Sequence, residues 1–558
     1  MANGRFSQTA VLRGPTARPL PVTLGTAAVW GTVLAAAAFL LARIAPDVRG
    51  KPLFEDEAVA GLVAVRPLTE VIETVMWERG GGPLHFVLSH LALEVSPSAY
   101  ALRWLSVVFA LATIPLLYDL GRRLVGPLAG GAAAVVGATS SLLAVYGSFG
   151  RMYSLYAFAA ALAITLFVRA VEQRTARAAL VAALGAWLLP AIHPYGAILV
   201  AAEAIIALAL WRGRPLRPAL PVLAVGVALV PFAWADLRLA DRFGVGLDGE
   251  EQLAVPEDAW GQMMRALTAS AGGEGWTTWL ALALVVFGAV VLVRRRPAFV
   301  ALAAVALLVP PLLLMVVRSG IEPGLSPRHL MFALPLAAGL IGAAVARLLR
   351  DVSVPLRVVL AGALVAAAVL APIGGIQDPR DWWNDVLGGG PPAVALGSEE
   401  QLAAPVAWLQ AHVEEDDVLY PYSPVYLGAL DAASRAQTLP YSQASLIERA
   451  LERVPSPAPG LVVSVPLGSA TVDLQALRAR LGDRFEPHFL GSWLLLESTG
   501  PLADDHTVLR SIYYGLRSAR LSVRGERRFE LDWYFNVTLA ALCTSVRAYG
   551  DRCPPPPP

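Results

Sequence analysis

The chain has 558 residues, 56% of them hydrophobic and 16% charged, with a formal net charge of +1 and a mean hydropathy of +0.58. Soluble domains carry about 25% charged residues, so this composition excludes an ordinary soluble enzyme and indicates an integral membrane protein. The net charge of +1 gives no hint of a nucleic-acid partner.

Lys51 is the only lysine. That arginine bias, with abundant Ala, Gly and Pro, correlates with GC-rich bacterial genomes. A span needs ~20 apolar residues. The candidates in chain order are 22–44, 100–120, 127–146, 152–170, 177–191, 195–211, 217–236, 276–293, 297–317, 328–348 and 355–373. Leu84–Val95 is apolar but too short to span and is read as an interfacial helix. With that assignment, Arg122-Arg123, Arg174/Arg177, Arg212/Arg214/Arg217, Arg294-Arg295-Arg296 and Arg347/Arg350 fall on one side, together with Arg5, Arg13 and Arg18. Positive residues mark the cytoplasm, so the N-terminus is expected inside and the C-terminal region outside. No cleavable signal is evident, because the first apolar run exceeds a signal h-region.

The expected architecture is a membrane all-α polytopic bundle of about 11 spans, residues 1–375, with an extracytoplasmic α/β domain at 376–558. The first outer loop, 45–99, should hold short helices near Ala58–Val65 and Leu68–Arg79, then a Gly80-Gly81-Gly82-Pro83 break. In the tail, Asp417–Tyr420, Gly460–Val465 and Phe489–Glu497 read as strands, and Gln401–His412 and Leu474–Leu481 as helices. The Pro run at 553–558 reads as disordered. Cys543 and Cys553 could form one disulfide in an oxidising compartment.

The outer loops collect the informative polar residues. Glu55-Asp56-Glu57 follows the first span by about ten residues, and three carboxylates beside lipid must sit in water or pair with cations. Arg79, His85, Arg103, Arg151, Tyr153, His193, Tyr195 and Arg328 belong to the same face. Arg79 and Arg103 could equally snorkel to the interface. Arg151 and Arg328 stand at outer span ends, against the positive-inside bias. A carboxylate can act as a general base on a hydroxyl, and arginine matches phosphate oxygens in charge and geometry. Together they suit transfer of a sugar from a lipid phosphate, with the acceptor arriving from water. No close ligand set with metal spacing appears, and a carboxylate pair alone is weak evidence for one. Two other classes stay open: a secondary transporter, and a non-catalytic lipid-linked glycan binding or assembly protein.

Several short elements, in order, resemble a known family. They are Phe54-Glu55-Asp56-Glu57-Ala58, Gly82-Pro83-Leu84-His85-Phe86 through Ala101-Leu102-Arg103, Leu120-Gly121-Arg122-Arg123-Leu124, Gly150-Arg151-Met152-Tyr153, His193-Pro194-Tyr195 and Pro327-Arg328-His329-Leu330. Over roughly residues 20–350 the chain resembles the GT-C superfamily of polytopic glycosyltransferases, in the branch of protein O-mannosyltransferases and the lipid A aminoarabinose transferase. Gly82-Pro83 stands where the family commonly has Pro-Pro, and Phe149 where an acid often precedes the Arg-Met-Tyr element. The resemblance implies a polyprenyl-phosphate sugar donor and a glycan, lipid or protein acceptor; no cofactor is expected, a divalent metal staying open. It implies Asp56 as catalytic base, Glu57 assisting or orienting, Arg151 and Arg328 on the donor phosphate, and Tyr153, His193, Tyr195 and His85 in substrate binding.

Overall fold

In the computed structural model the described residues are 22–211, 220–235, 259–271, 276–316, 327–353, 356, 397–440, 444–468, 470–524 and 529–549. The expected span at 355–373, the boundary at 375/376, the N-terminal arginines, the 212–217 cluster and the Pro run therefore lie outside them, apart from Leu356.

Helices form where the apolar runs predict. Val22–Ile44, Ala99–Leu124, Tyr153–Gln173, Ala176–Ile192, Gly196–Trp211, Trp276–Leu292, Pro297–Val316 and Ala333–Leu348 are all α-helical, and Leu84–Val95 is a separate helix of 12 residues. Among the described residues three helices are long and apolar enough to cross a membrane alone: Trp30–Gly50, Ala99–Leu124 and Tyr153–Gln173. The expected eleven is not reached by helix length, because the other apolar helices are only 10–17 residues long within the described residues. The 127–146 run breaks into Pro127–Thr139 and Ser141–Tyr146 at Ser140, whose ψ of 129° leaves the helical region. The Ser140 hydroxyl donates instead to the Ala269 carbonyl at 3.2 Å.

Without a hydrophobic drive between helices in lipid, association relies on close packing at small residues. Two glycines converge on one carbonyl here. A Cβ added at Gly121 would lie 2.5 Å from the Ala129 oxygen, and one at Gly342 would lie 2.6 Å from it. Three helices meet there because two of them lack a side chain.

The bundle has two chemically different ends. At one end Asp119 accepts from Arg122 and Arg123, Glu172 pairs with Arg296 at 2.8 Å, and Arg296 donates to the Arg123 carbonyl at 2.7 Å. Arg103 stands at the other end of the Ala99–Leu124 helix, about 29 Å from Arg122 at 1.5 Å rise per residue. Tyr153 and Glu172 are separated the same way, about 29 Å along the next long helix.

The C-terminal part is built on a five-stranded mixed sheet. Its strands are β1 (Val418–Tyr420), β2 (Gln437–Thr438), β3 (Leu461–Pro466), β5 (Phe485–Leu490) and β6 (Trp493–Ser498), in the order β2-β1-β3-β6-β5, while β4 (Thr471–Val472) pairs with β7 (Val523–Arg524). The β1–β2 and β1–β3 pairs are parallel and the rest antiparallel. The predicted single strand Phe489–Glu497 is instead most of a hairpin, turned at Gly491 with φ +67°. All of β3 is buried, as expected of a strand covered on both faces. Alternate residues divide between two cores. Leu419, Val462 and Leu495 join the core of the helical bundle, while Val418, Tyr420, Val463, Leu494 and Leu496 pack with the helices Asp505–Ser522 and Phe529–Ala548.

This sheet region closes over the first loop. Leu427, in the Pro424–Gly428 helix, packs on Gly61, where a Cβ would approach it to 2.4 Å. The Leu53 amide donates to the Gly397 carbonyl at 2.8 Å.

Candidate functional site

The site grows from the start of the Glu55–Ala64 helix. Phe54 precedes it in an extended conformation, and the Phe54 amide donates to Glu57 Oε2 at 3.1 Å. Three acids in the first turn oppose the positive end of the helix dipole. Successive helical residues turn by about 100°, so neighbouring carboxylates cannot all face one way.

Glu57 faces inward and is 1% exposed. Its Oε1 accepts from Arg103 Nε at 2.8 Å and from the Gly150 amide at 2.7 Å, and its Oε2 accepts from Arg103 Nη2 at 2.7 Å. Arg103, 0% exposed, donates further to the carbonyls of Val48, Lys51 and Pro52 at 3.0, 2.7 and 2.6 Å. A guanidinium has five N–H groups, and each has an acceptor. Gly150 permits the approach, since a Cβ there would stand 3.1 Å from Glu57 Oε1. The Glu57 oxygens accept from Arg103, Gly150 and Phe54, contacts that join four segments and are compatible with the orienting role expected of Glu57. The snorkelling reading of Arg103 falls on the same contacts.

Asp56 faces the other way, its side chain 32% exposed. Its Oδ1 lies 3.9 Å from Arg151 Nη2 and its Oδ2 lies 3.6 Å from Arg328 Nη1. Arg151 Nη1 also donates to the Asp56 carbonyl at 3.1 Å. Arg151 sits in a turn pinned by Ser106, whose hydroxyl donates to the Phe149 carbonyl at 2.6 Å. Arg328 comes from the short 3₁₀ turn Pro327–Leu330. Its guanidinium carbon is 6.0 Å from the Tyr153 ring centre. The Nε groups of Arg151 and Arg328 have no hydrogen-bond partner among the described residues.

Aromatic rings line one side. His193 stacks on Tyr156 with centroids 5.4 Å apart, Tyr195 stacks on His329 at 5.0 Å, and the two histidines are 5.3 Å apart. Tyr153 is 6.3 Å from His193. The Tyr195 amide donates to His193 Nδ1 at 3.2 Å, which leaves the ring hydrogen on Nε2. His85 is buried, with Nε2 3.5 Å from the Ser89 hydroxyl. Burial, reinforced by Arg151 and Arg79, pushes the His85 pKa down to about 3. Burial, reinforced by Arg151 and Arg328, pushes His193 to about 3 as well. Both rings are therefore neutral at physiological pH.

All eight residues expected from the sequence thus meet at one end of the bundle, six around Asp56 and Glu57 behind it. Tyr156 and His329 were missed. Tyr156 lies three residues after Tyr153 on one helix face, a readable signal, whereas nothing local distinguishes His329. Away from this site, Glu486, His488 and Glu497 on the β5–β6 hairpin place their ligand atoms within 4.8 Å of one another, and they are the group of metal-ligand type among the described residues.

No protein-family model matches the chain, and no curated protein matches it. Solved structures do. ArnT from Cupriavidus metallidurans in the apo state aligns with a TM-score of 0.56 at 12% identity, covering 85% of this chain and 98% of that one. The same protein bound to undecaprenyl phosphate aligns at 0.54, with the same identity and coverage. This chain shares the fold of that ArnT structure. An oligosaccharyltransferase from Archaeoglobus fulgidus also aligns, at 0.49 and 11% identity over 79% of this chain and 70% of that one.

Two outcomes follow from the site. Glu57→Gln strands a buried Arg103 charge, and removing one partner of a buried pair costs ~3–5 kcal/mol. Thermal inactivation of the purified protein in detergent should therefore move sharply to lower temperature, while Glu55→Gln leaves it near wild type; equal behaviour of the two variants would contradict the latch. The second concerns pH. Between about 6.5 and 3 the unfolded chain protonates His85 and His193 and the folded chain does not. Stability is then full above pH 6.5 and falls as pH drops through that window. At pH 5 the loss is ~2 kcal/mol per histidine, at 1.36 kcal/mol per pH unit. Melting curves at pH 7 and pH 5 should show the loss, and His193→Gln should reduce it.

Proposed function

We propose that this protein is an integral membrane glycosyltransferase that moves a sugar from a polyprenyl-phosphate donor to an acceptor hydroxyl at the extracytoplasmic face. The observation that carries the reading is Asp56, partly open to solvent and set between Arg151 and Arg328 at 3.9 and 3.6 Å, at one end of an apolar bundle. The shared fold supports it: ArnT with that fold is solved with undecaprenyl phosphate bound.

The ion pairs around Asp56 are too long to be hydrogen bonds. A donor phosphate can therefore draw the two guanidiniums onto itself and leave the carboxylate to accept the acceptor hydroxyl. In a single displacement the acceptor proton passes to Asp56 as its oxygen attacks the anomeric carbon. The bond from that carbon to the phosphate oxygen breaks, and its electron pair leaves with the phosphate. Arg151 and Arg328 stabilise the charge that develops there, and their unpartnered Nε groups are donors in reserve. The stacked rings of Tyr153, Tyr156, His193, Tyr195 and His329 offer flat faces against which a sugar ring can rest. Neutral histidines neither compete for the phosphate nor add charge beside the anomeric centre. Glu57 and Arg103 position Asp56 without touching the reactants. A secondary transporter would gather its ionisable groups near the midplane; on the Ala99–Leu124 and Tyr153–Gln173 helices they cluster toward the ends.

A transfer assay with purified protein and a panel of polyprenyl-phosphate sugars tests the activity. Asp56→Asn cannot take a proton, and general-base catalysis contributes ~100- to 10,000-fold, so turnover should drop by that range with donor affinity retained. Arg151→Ala or Arg328→Ala should weaken donor binding, by ~10-fold or more for a lost charged hydrogen bond of ~1.5–3 kcal/mol. Normal turnover in Asp56→Asn removes it from the mechanism, and no transfer from any donor removes the reading.

For orientation, the N-terminus is cytoplasmic and the sheet domain extracytoplasmic in this reading. Cys543 is disulfide-bonded, which fits an oxidising compartment. Reporter fusions after Arg123 and after Gly500 should report opposite sides; the same side for both would overturn the arrangement.

A further inference from the structure

The sheet domain touches the first loop through charge as well as apolar packing. Arg453, just past the Ala444–Leu451 helix, forms a two-pronged pair with Glu78: Nη1 donates to Oε2 at 3.2 Å, and Nη2 donates to Oε1. Its Nε lies 3.9 Å from Glu70 Oε1. The Glu78 side chain is only 9% exposed and that of Arg453 24%, so the pair is partly shielded from water. Arg66 stands beside Glu70 and Arg453 and completes the cluster.

The local backbone is unusual where Glu78 sits. Residues Thr74–Arg79 form a π-helical turn, a wide form that is rare and frequent at functional sites. It ends at Gly80 and Gly81, with φ of +82° and +101°, a region open to glycine. The Gly81 amide donates to the Ala235 carbonyl at 3.2 Å, and a Cβ at Gly82 would strike the Ala191 backbone at 2.5 Å. The turn is thus fastened to the helix bundle at one end and to the sheet domain through Glu78. The next residue, Arg79, packs its guanidinium 5.2 Å from the Phe86 ring centre and lies close enough to His85 to act on its charge. The Phe86 ring meets the His85 ring at 5.7 Å, and Gly82 abuts the Ala191 and Ile192 backbone, directly before His193. Arg453, Glu78, Arg79, Phe86 and His85 thus lead from the outer domain toward the candidate phosphate pocket.

We propose that Arg453 and Glu78 are positioning residues: through them the sheet domain fixes the π-turn, sets where Arg79 stands, and so tunes the affinity of the site for a lipid-linked phosphate. This rests on the glycosyltransferase reading above. The domain is then a working part of the donor site as well as a cover over it.

The test measures binding of undecaprenyl phosphate to the purified full-length protein in detergent, alongside melting temperature. Arg453→Gln and Glu78→Gln should each weaken binding about 3- to 10-fold, the size of coupling seen between residues that share a network. Arg524→Gln, which removes an exposed pair with Asp473 in the same domain, should leave binding unchanged. The charge swap Arg453→Glu with Glu78→Arg should recover at least part of the affinity. The deciding measurement is the cycle with Arg79→Gln: in that background Arg453→Gln should have no further effect. If Arg453→Gln lowers only the melting temperature, or weakens binding equally with and without Arg79, the positioning role is wrong. If the wild-type protein itself fails to bind undecaprenyl phosphate, the donor reading fails and this inference with it, an outcome distinct from a wild type that binds and variants that bind as well.

Discussion

The Glu57–Arg103 pair is the interaction on which the rest of the site depends. It is buried, two-pronged and complete, with each guanidinium N–H matched to an acceptor. A buried ion pair is costly to desolvate and is poor evidence of net stability. What this one does is fix position. It ties the start of the Ala99–Leu124 helix to the 48–52 segment, to the Glu55–Ala64 helix and to the turn at Gly150. The Asp56 carboxylate and Arg151 hang on those segments.

Adjacent carboxylates therefore divide the labour by direction. One turns into the protein and is consumed by structure; its neighbour stays about a third exposed and faces Arg151 and Arg328. The same logic separates the arginines. Arg103 spends its donors on backbone carbonyls and Glu57, while Arg151 and Arg328 keep longer, looser contacts with the Asp56 carboxylate. Loose pairs can be exchanged for a phosphate, and tight ones cannot.

Much of this was legible in the chain. Val22–Ile44, Leu84–Val95 and Leu474–Leu481 have the predicted ends, because each is an apolar or amphipathic run with abrupt polar, Pro or Gly flanks. Asp56, Arg151, Tyr153, His193, Tyr195 and Arg328 could be grouped because charge beside an apolar span is rare and needs a reason. The division between Asp56 and Glu57 was not legible: both are acids in one helical turn, and what distinguishes them is an arginine 46 residues away. The β5–β6 hairpin was read as one strand because the turn is a single Gly-Ser pair within an apolar run. The break at Ser140 was hidden because its compensating hydrogen bond reaches a residue 129 positions on.

The packing of Leu427 on Gly61 has a consequence for how the protein is made. Chains emerge from the ribosome at about 5–20 residues per second. Arg103 follows Glu57 within roughly 2–9 s at that pace, so the latch can close while the first helices are entering the bilayer. Leu427 follows Gly61 only after roughly 20–70 s. During that interval the Glu55–Ala64 helix stands in place with its apolar outer face bare. A nascent chain therefore presents this helix uncovered to neighbouring chains and to proteases for more than half of its synthesis, and the sheet region ends that exposure.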